Sequence, residues 1–411
     1  MRHDYGLVLL GTIWLLAACS EVVPVVPFEP ETLAVPAQAP STAPRISGGS
    51  GEDIVLSWLE PSEFGTTLNF SRLDNGAWSD ASTVVTIAHM FVNWADLPSV
   101  VPLGGDRLAA HWLQMSADMP YAYDAVSMLS TDRGTSWSEP LRPHTDGTPT
   151  EHGFVSMFSQ NQSTGMLWLD GRKMINEVTD DPLQSGMTLR AAFADENGNL
   201  HDEQLVDELI CDCCQTDVAI TAAGPIAVYR DRSIDEIRDI SVTRFVDGKW
   251  LPGRPLAEDG WCINGCPVNG PSIDADGDDV AVAWFTGANG RPVVKLSFSD
   301  DSGRTFGTPF EVIDGSVLGR VGVVLLDNGD VAVSWLQLSD GGVGEVHVRQ
   351  VRGDGRRGPN HTISFGVGSF SVPQLARSED DLILAWTESK DYVDQVFSVR
   401  VPIAALLAEA N

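Results

Sequence analysis

Cysteine is the most reactive residue type in this sequence, and its six copies fall in three places. Cys19 stands alone near the N-terminus, and the others form two groups: Cys211, Cys213 and Cys214, then Cys262 and Cys266. Thiols grouped in this way support disulfide pairing, redox exchange, or binding of a soft metal ion such as copper(I) or zinc. In an oxidising compartment disulfides are the default, although strain disfavours a bridge between neighbours and the odd number leaves one thiol over. The sequence assures no metal or other cofactor, and the three chemistries stay open.

Ionisable side chains form a second candidate set. Its members are Arg45, Asp96, Glu151, His152, Asp170, Arg172, Tyr229, Arg230, Arg232, Glu236, Arg320 and Tyr392. Arginines bind anionic ligands, whereas carboxyl and phenol groups with shifted pKa values serve in acid–base or nucleophilic steps. The alternative is a purely structural network, because arginines and carboxylates also pair with one another at loop ends. The choice depends on the elements that position these residues.

Seven short apolar segments that end in an aromatic residue recur along the chain. They cover residues 54–58, 108–112, 164–168, 226–229, 280–284, 331–335 and 382–386. A period of roughly fifty residues is typical of a β-propeller, and each unit is consistent with four strands. No amphipathic helical pattern separates the strands, which excludes parallel βαβ units. We predict an all-β propeller of four-stranded blades, seven in number.

The last repeat lacks a fourth strand, and we expect the segment around residues 32–35 to supply it and close the ring. In such a ring the first strand of every blade begins at the same face as the loop between the second and third strands. The ionisable set would then converge on one mouth of the central channel. The two cysteine groups open the fourth and fifth blades, so their sulfur atoms are expected to be neighbours.

Two turns carry a family resemblance. Their residues follow the pattern Ser-x-Asp-x-Gly-x-x-aromatic and are Ser130, Asp132, Gly134 and Trp137, then Ser299, Asp301, Gly303 and Phe306. This pattern resembles the Asp-box of the sialidase-type (BNR) β-propellers, and the resemblance covers nearly everything after Arg45. Sialidases have six blades, so six is the alternative count. The cysteine strings also resemble those of a group of bacterial envelope lipoprotein propellers.

The sialidase resemblance implies a glycan-directed role at the channel mouth. Sialidases hold the substrate carboxylate with three arginines and use a Tyr/Glu pair as nucleophile and an Asp as acid/base. On this resemblance Arg45, Arg230, Arg232 and Arg320 bind the acidic glycan, with His152, Asp170 and Arg172 as further contacts. The catalytic candidates are Tyr392, Tyr229, Glu236, Asp96 and Glu151. A glycoside hydrolase similar to the exo-α-sialidases and a ligand-binding or scaffold propeller with a cysteine-rich site are therefore the two hypotheses.

The N-terminus predicts the cellular location. An apolar run precedes residues 16–19, Leu-Ala-Ala-Cys, which resemble a lipobox, so residues 1–18 form a lipoprotein signal and Cys19 is lipidated. We expect a proline-rich stalk over 19–44, the propeller over 45–411, and anchoring in the bacterial envelope at the outer membrane, facing the periplasm or the surface. A formal charge of −31 excludes nucleic acid as a partner. A monomer attached to the membrane only through its lipid is expected.

Overall fold

The structure, a computed structural model, describes residues 1, 26–49, 53–175 and 181–407. The predicted signal and the lipidation site Cys19 lie outside the described residues. Within them, the chain forms seven antiparallel sheets arranged as the blades of a β-propeller, which confirms the predicted fold and blade number. None of the helices in this part of the chain is long and apolar enough to cross a bilayer.

The blades follow one another along the chain, and each one begins with its inner strand. After β1 (Glu31–Leu33), blade 1 contains β2 (Thr42–Ser47), β3 (Val55–Ser62), β4 (Gly65–Asp74), β5 (Ala77–Trp78) and β6 (Ser82–Ile87). Blade 2 contains β7 (Ser99–Pro102), β8 (Leu108–Met115) and β9 (Tyr123–Ser130), and Leu141 occupies its fourth position through two hydrogen bonds to Ser127. Blade 3 contains β10 (His152–Gln160), β11 (Ser163–Asp170), β12 (Thr188–Ala194) and β13 (Leu200–Asp207).

The second half of the ring repeats this arrangement. Blade 4 contains β14 (Asp217–Thr221), β15 (Gly224–Arg230), β16 (Ile240–Val246), β17 (Lys249–Trp250) and β18 (Arg254–Pro255). Blade 5 contains β19 (Ser272–Asp276), β20 (Asp279–Thr286), β21 (Val293–Ser299) and β22 (Phe310–Asp314). Blade 6 contains β23 (Val317–Leu325), β24 (Val331–Leu338), β25 (Gly344–Val351) and β26 (His361–Val367). Blade 7 contains β27 (Gln374–Ser378), β28 (Asp381–Lys390) and β29 (Val393–Pro402). The short helices are α1 (Pro182–Ser185) and three 3₁₀ turns, Arg172–Ile175, Ala288–Gly290 and Ile403–Leu407.

The second strand of each blade forms the core between neighbouring blades. Its aromatic residue is buried in all seven cases, namely Trp58, Trp112, Trp168, Tyr229, Trp284, Trp335 and Trp386. A buried indole needs an acceptor for its N–H group. In four blades that acceptor lies two residues further along the same strand: Glu60 at 2.7 Å, Asp170 at 2.8 Å, Gln337 at 3.1 Å and Glu388 at 2.7 Å. A Trp-x-acid/amide pattern is therefore typical of the C-terminal end of a buried second strand.

Strand β1 closes the ring as the fourth strand of blade 7. Glu31 pairs with Arg400 and Leu33 with Ser398, and the Arg400 guanidinium donates to the Glu31 carboxylate at 2.5 Å. Leu33 is buried in the core of this blade. The predicted closing segment, 32–35, is in the strand over its first two residues. The pairing covers the outer edge of β29, which would otherwise present unpaired backbone groups.

We expect deletion of residues 26–35 to destabilise the propeller by about 2 kcal/mol or more, since it removes a buried leucine and uncovers a strand edge. Urea unfolding and size-exclusion chromatography measure the loss of stability and the resulting edge-to-edge association. The matched control is a truncated chain that begins at residue 26 and therefore keeps β1. Equal stability of the two truncated chains would contradict a role of β1 in closure.

The two Ser-x-Asp turns share one hydrogen-bonding scheme. Asp132 accepts from the Ser130 hydroxyl at 2.8 Å and from the Ser136 amide at 2.9 Å, while the Gly134 amide donates to Ser130 Oγ at 2.8 Å. Asp301 accepts in the same way from Ser299 and Thr305, both at 2.8 Å. Gly134 and Gly303 have φ values of 81° and 72°, which glycine adopts without strain. Trp137 and Phe306 pack against the interblade cores. These turns join third to fourth strands, so they stabilise blades at the face opposite the channel mouth.

Candidate functional site

The candidate site is the mouth of the central channel. The seven inner strands line this channel, which contains a cavity of about 370 Å³. Its wall is mostly polar, and hydrogen bonds join neighbouring inner strands. Asp217 Oδ2, for example, accepts from the Ile273 amide at 3.0 Å, and Asp274 Oδ2 accepts from the Leu325 amide at 2.7 Å. Burial raises the pKa of Asp274 to about 6. The channel wall is therefore held by its own side chains.

The loop over residues 88–98, here called the mouth loop, lies between blades 1 and 2 and contacts residues of four other blades. The Ala95 carbonyl accepts from Gln215 Nε2 at 2.6 Å on blade 4. The two Asp96 oxygens accept from the Phe154 amide at 2.9 Å on blade 3. The Trp94 ring lies 5.1 Å from the Phe370 ring before blade 7, and the Arg320 guanidinium of blade 6 lies 5.0 Å above it. The mouth loop thus covers part of the channel entrance.

A tyrosine that the sequence analysis missed lies under this loop. Tyr123 lies beside both Glu151 and Asp96, and its ring stacks on Phe91 at 4.3 Å. Burial raises the pKa of Asp96 to about 7, and burial, helped by Asp212, raises that of Glu151 to about 7. The close approach needs Gly153, because a Cβ atom there would lie 2.1 Å from Asp96 Oδ2. The structure therefore brings the predicted Asp96 and Glu151 together around an unpredicted Tyr/Glu pair.

This tyrosine is not accessible from solvent. Tyr123 is 1% exposed, whereas its neighbour Tyr121 is 57% exposed. Burial raises the pKa of Tyr123 well above its usual value, so its hydroxyl stays protonated. The residues of this group come from three segments that are distant in sequence: Asp96 in the mouth loop, Tyr123 at the start of β9, and Glu151 before β10. Nothing in the local sequence around Tyr123 distinguishes it.

The predicted nucleophiles Tyr392 and Tyr229 do not meet a Glu partner. Tyr392 lies in the exposed turn between β28 and β29 and is 105% exposed. Tyr229 is buried in β15, and its hydroxyl donates to Asp207 at 2.6 Å. Glu236 instead accepts from Arg232 at 2.6 Å and from Arg238 at 2.8 Å. These three candidates therefore have separate structural surroundings rather than a shared catalytic centre.

The four predicted acid-binding arginines do not form one carboxylate clamp. Arg230 is buried, and its three guanidinium nitrogens donate to the carbonyls of Asn269, Arg238 and Phe285 at 2.9, 2.6 and 2.8 Å. Arg232 pairs with Glu236 and with Asp212 at 3.3 Å. Arg45 lies in the channel, where its closest carboxylate is Asp217 at 3.9 Å. Arg320 stacks on the Trp94 ring, and its Nε and Nη1 are buried and without a hydrogen-bond partner.

His152, Asp170 and Arg172 belong to a buried network in blade 3. The His152 ring stacks on His144 at 3.8 Å, and its Nε2 lies 3.2 Å from Asp146. Arg172 contacts both oxygens of Asp170, at 2.6 and 2.7 Å. Burial, together with the charge of His152, lowers the pKa of His144 to about 4. His152 and Asp170 are fully buried, so these predicted substrate contacts lie within an internal network of charges.

Four of the five cysteines after Cys19 gather beside the mouth. The sulfur atoms of Cys211, Cys213 and Cys214 all lie within 4.8 Å of one another, and Cys266 lies near Cys213. Cys262 is exposed, and its thiol donates to the Asp235 carbonyl at 3.5 Å. The shortest sulfur pair, Cys211 and Cys214, is 3.3 Å apart, whereas a disulfide needs about 2.05 Å. The expected disulfide is therefore absent, and all five thiols are free.

Comparisons with known proteins give the fold and no sequence family. No protein-family model matches the chain, and no curated protein is significantly similar in sequence. The BP39L lectin from Burkholderia pseudomallei is similar in structure, with a TM-score of 0.58, 11% identity, and coverage of 89% of this chain and 97% of the lectin. A protein of unknown function from Dyadobacter fermentans has a TM-score of 0.52, 13% identity, and coverage of 93% and 100%. A mutant of the NanB sialidase from Streptococcus pneumoniae has a TM-score of 0.47 and 9% identity over 86% and 84% of the two chains.

Proposed function

We propose that the protein binds carbohydrate at the channel mouth and does not hydrolyse it. The observation that carries this proposal is the group of exposed aromatic rings on and beside the mouth loop. Trp94, Tyr121 and Phe370 are 37, 57 and 65% exposed, the Trp94 and Phe370 rings lie 5.1 Å apart, and the partly exposed Glu151 pairs with Tyr123 at the start of β9. Aromatic rings pack against the C–H faces of sugars, and carboxyl groups hydrogen-bond to sugar hydroxyls. A small number of polar groups is therefore sufficient to orient the ligand.

The charges at the mouth favour a neutral sugar over an acidic one. Arg230 and Arg232 are committed to carbonyls and carboxylates, and the Arg320 donors are buried. The Glu151 carboxyl group has a pKa raised to about 7 by burial and by Asp212, and a bound anion would raise it further. An acidic glycan would therefore find one partly exposed guanidinium group, that of Arg45 in the channel, rather than a clamp of several arginines. Similarity in fold to a lectin supports a binding role for this surface.

Two features argue against glycosidase turnover. Tyr123, which lies beside Glu151 as a possible Tyr/Glu pair, is buried beneath Phe91 and its hydroxyl stays protonated. Asp96 is also fully buried and accepts from the Phe154 amide, so it cannot reach a leaving group. In this proposal the lipidated Cys19 holds the propeller in the bacterial envelope, where surface or periplasmic glycans are available.

Replacing Trp94 by alanine is expected to weaken glycan binding at least tenfold, because an exposed tryptophan at the centre of a contact surface contributes about 2 kcal/mol. Glycan arrays identify the ligand, and titration calorimetry with that ligand measures the loss. Phe365→Ala is the matched control, since Phe365 is similarly exposed on the outer strand β26. Unchanged binding by Trp94→Ala would exclude this surface. Release of sialic acid from a fluorogenic sialoside, abolished by Tyr123→Phe, would instead establish an enzyme.

A further inference from the structure

Three of the clustered cysteines have the arrangement of metal ligands, and a fourth lies near them. A turn over residues 211–214 places three sulfurs on one side, where all three lie within 4.8 Å of one another. Its ends are held by backbone contacts: the Cys211 amide donates to the Arg230 carbonyl at 3.1 Å, and the Asn269 amide donates to Cys214 Sγ at 3.3 Å. Two thiolates bound to one tetrahedral zinc ion at 2.3 Å lie about 3.8 Å apart. The observed sulfur spacing suits this distance.

The fourth ligand comes from the next blade. Cys266, in the loop that leads to β19, lies near the Cys213 thiol but outside the group of three sulfurs that are within 4.8 Å of one another, so a small movement of this loop would bring it to the metal. One metal ion would therefore join the loop before blade 4 to the loop before blade 5. Gln215, which follows the cysteine turn, donates to the Ala95 carbonyl at 2.6 Å, so this junction also supports the mouth loop.

The charges around the cluster provide an independent indication. The Arg238 guanidinium donates to Cys211 Sγ at 3.3 Å. Arg320 is largely buried and leaves Nε and Nη1 without a hydrogen-bond partner; burial lowers the pKa of its guanidinium group to about 10, and negative charge on Cys214 and Cys213 opposes this. Buried unpaired guanidinium donors are costly, unless negative charge lies opposite them. Four thiolates on a divalent ion carry two negative charges, which two arginines balance.

We propose that Cys211, Cys213, Cys214 and Cys266 bind one zinc(II) ion in a tetrahedral tetrathiolate site, with Arg238 and Arg320 balancing its charge. Four sulfur ligands favour zinc over magnesium or calcium, which take oxygen ligands. Copper(I) shares the preference for thiolates but is satisfied by fewer ligands. Zinc binding displaces four thiol protons and keeps the sulfurs from oxidation in the envelope. The site lies beside the proposed glycan surface but does not depend on it.

Metal analysis of the native full chain, reduced and then loaded with zinc, tests the site. About one zinc per chain is expected. Four thiols should resist alkylation until a chelator is added, while Cys262 reacts throughout. Substitution by cobalt(II) should produce the strong visible bands of a tetrahedral thiolate complex. Cys211→Ser should bind zinc far more weakly than the matched control Cys262→Ser, which leaves the cluster intact.

A second variant keeps the test independent of folding, and a third distinguishes zinc from copper(I). Arg238→Gln retains all four sulfurs, and loss of its contact to Cys211 should weaken zinc binding by roughly 10–100-fold. Failure of the reduced native chain to take up zinc, or equal zinc binding by Cys211→Ser and Cys262→Ser, would overturn the proposal. Tighter binding of copper(I) that persists in Cys266→Ser would replace zinc with a three-sulfur copper site. Glycan binding is also measured on the metal-free protein. This result tests the glycan proposal independently of zinc binding, so a failure of one proposal can be distinguished from a failure of the other.

Discussion

Replacing Arg230 by methionine is expected to lower the free energy of unfolding by about 3 kcal/mol or more. The guanidinium group satisfies carbonyls from three segments, those of Asn269, Arg238 and Phe285, and it stacks on Trp261 at 4.9 Å. Each buried carbonyl that loses its donor costs about 1–3 kcal/mol, and methionine fills the volume without replacing any hydrogen bond. Urea unfolding of the purified propeller domain measures the change.

The matched control for this experiment is Arg45→Met. Arg45 is a second sequence-predicted acid-binding residue, but it is partly exposed and its closest carboxylate oxygen lies at 3.9 Å. Long ion pairs of this kind contribute about 1 kcal/mol or less, so the stability should change little. A stable Arg230→Met variant that had lost ligand binding would indicate that Arg230 binds the ligand, and it would contradict a structural role.

The seven-bladed fold was predictable because it repeats. Each buried second strand carries its own apolar run and terminal aromatic residue, so seven independent copies of one signal point to the same architecture. Closure by β1 was predictable from the strand missing in blade 7. A single residue such as Leu33, by contrast, carries no local signal, and the bounds of β1 differ from the prediction by a residue or two.

The site was less predictable, because an arginine's partners depend on chain segments far away in sequence. Arg230 ends strand β15 and adjoins a tyrosine, as a substrate-binding arginine could, yet its donors reach carbonyls 8, 39 and 55 residues away. Asp170 has a local signal, since it accepts from Trp168 two residues earlier, like Glu60 and Glu388 in other blades. The repeated Trp-x-acid pattern could have identified Asp170 as structural. No sequence pattern of this kind predicted the position of the mouth loop over the channel entrance.

Titration of Asp96 is expected to make the protein less stable as the pH rises from about 4 to about 7. Burial raises the pKa of this carboxyl group from 3.8 to about 7, so the folded protein keeps a proton that the unfolded chain has already released. The folded state binds more protons over this interval, and the free energy of unfolding therefore falls with increasing pH. A difference of this size corresponds to about 4 kcal/mol, with the full stability present below pH 4 and lost above pH 7.

Asp96→Asn should remove this part of the pH dependence. The asparagine carbonyl can still accept from the Phe154 amide, and its NH₂ group can donate to the Tyr123 hydroxyl oxygen, while no charge is buried. The variant is expected to be more stable than the native protein at pH 8 and similar to it at pH 4, and Glu151 keeps its own contribution. Urea unfolding at both pH values measures this, with Glu139→Gln at an exposed carboxylate as the matched control. Parallel pH profiles for the native protein and Asp96→Asn would show that Asp96 is ionised in the fold, which would require the mouth loop to admit water beside Tyr123.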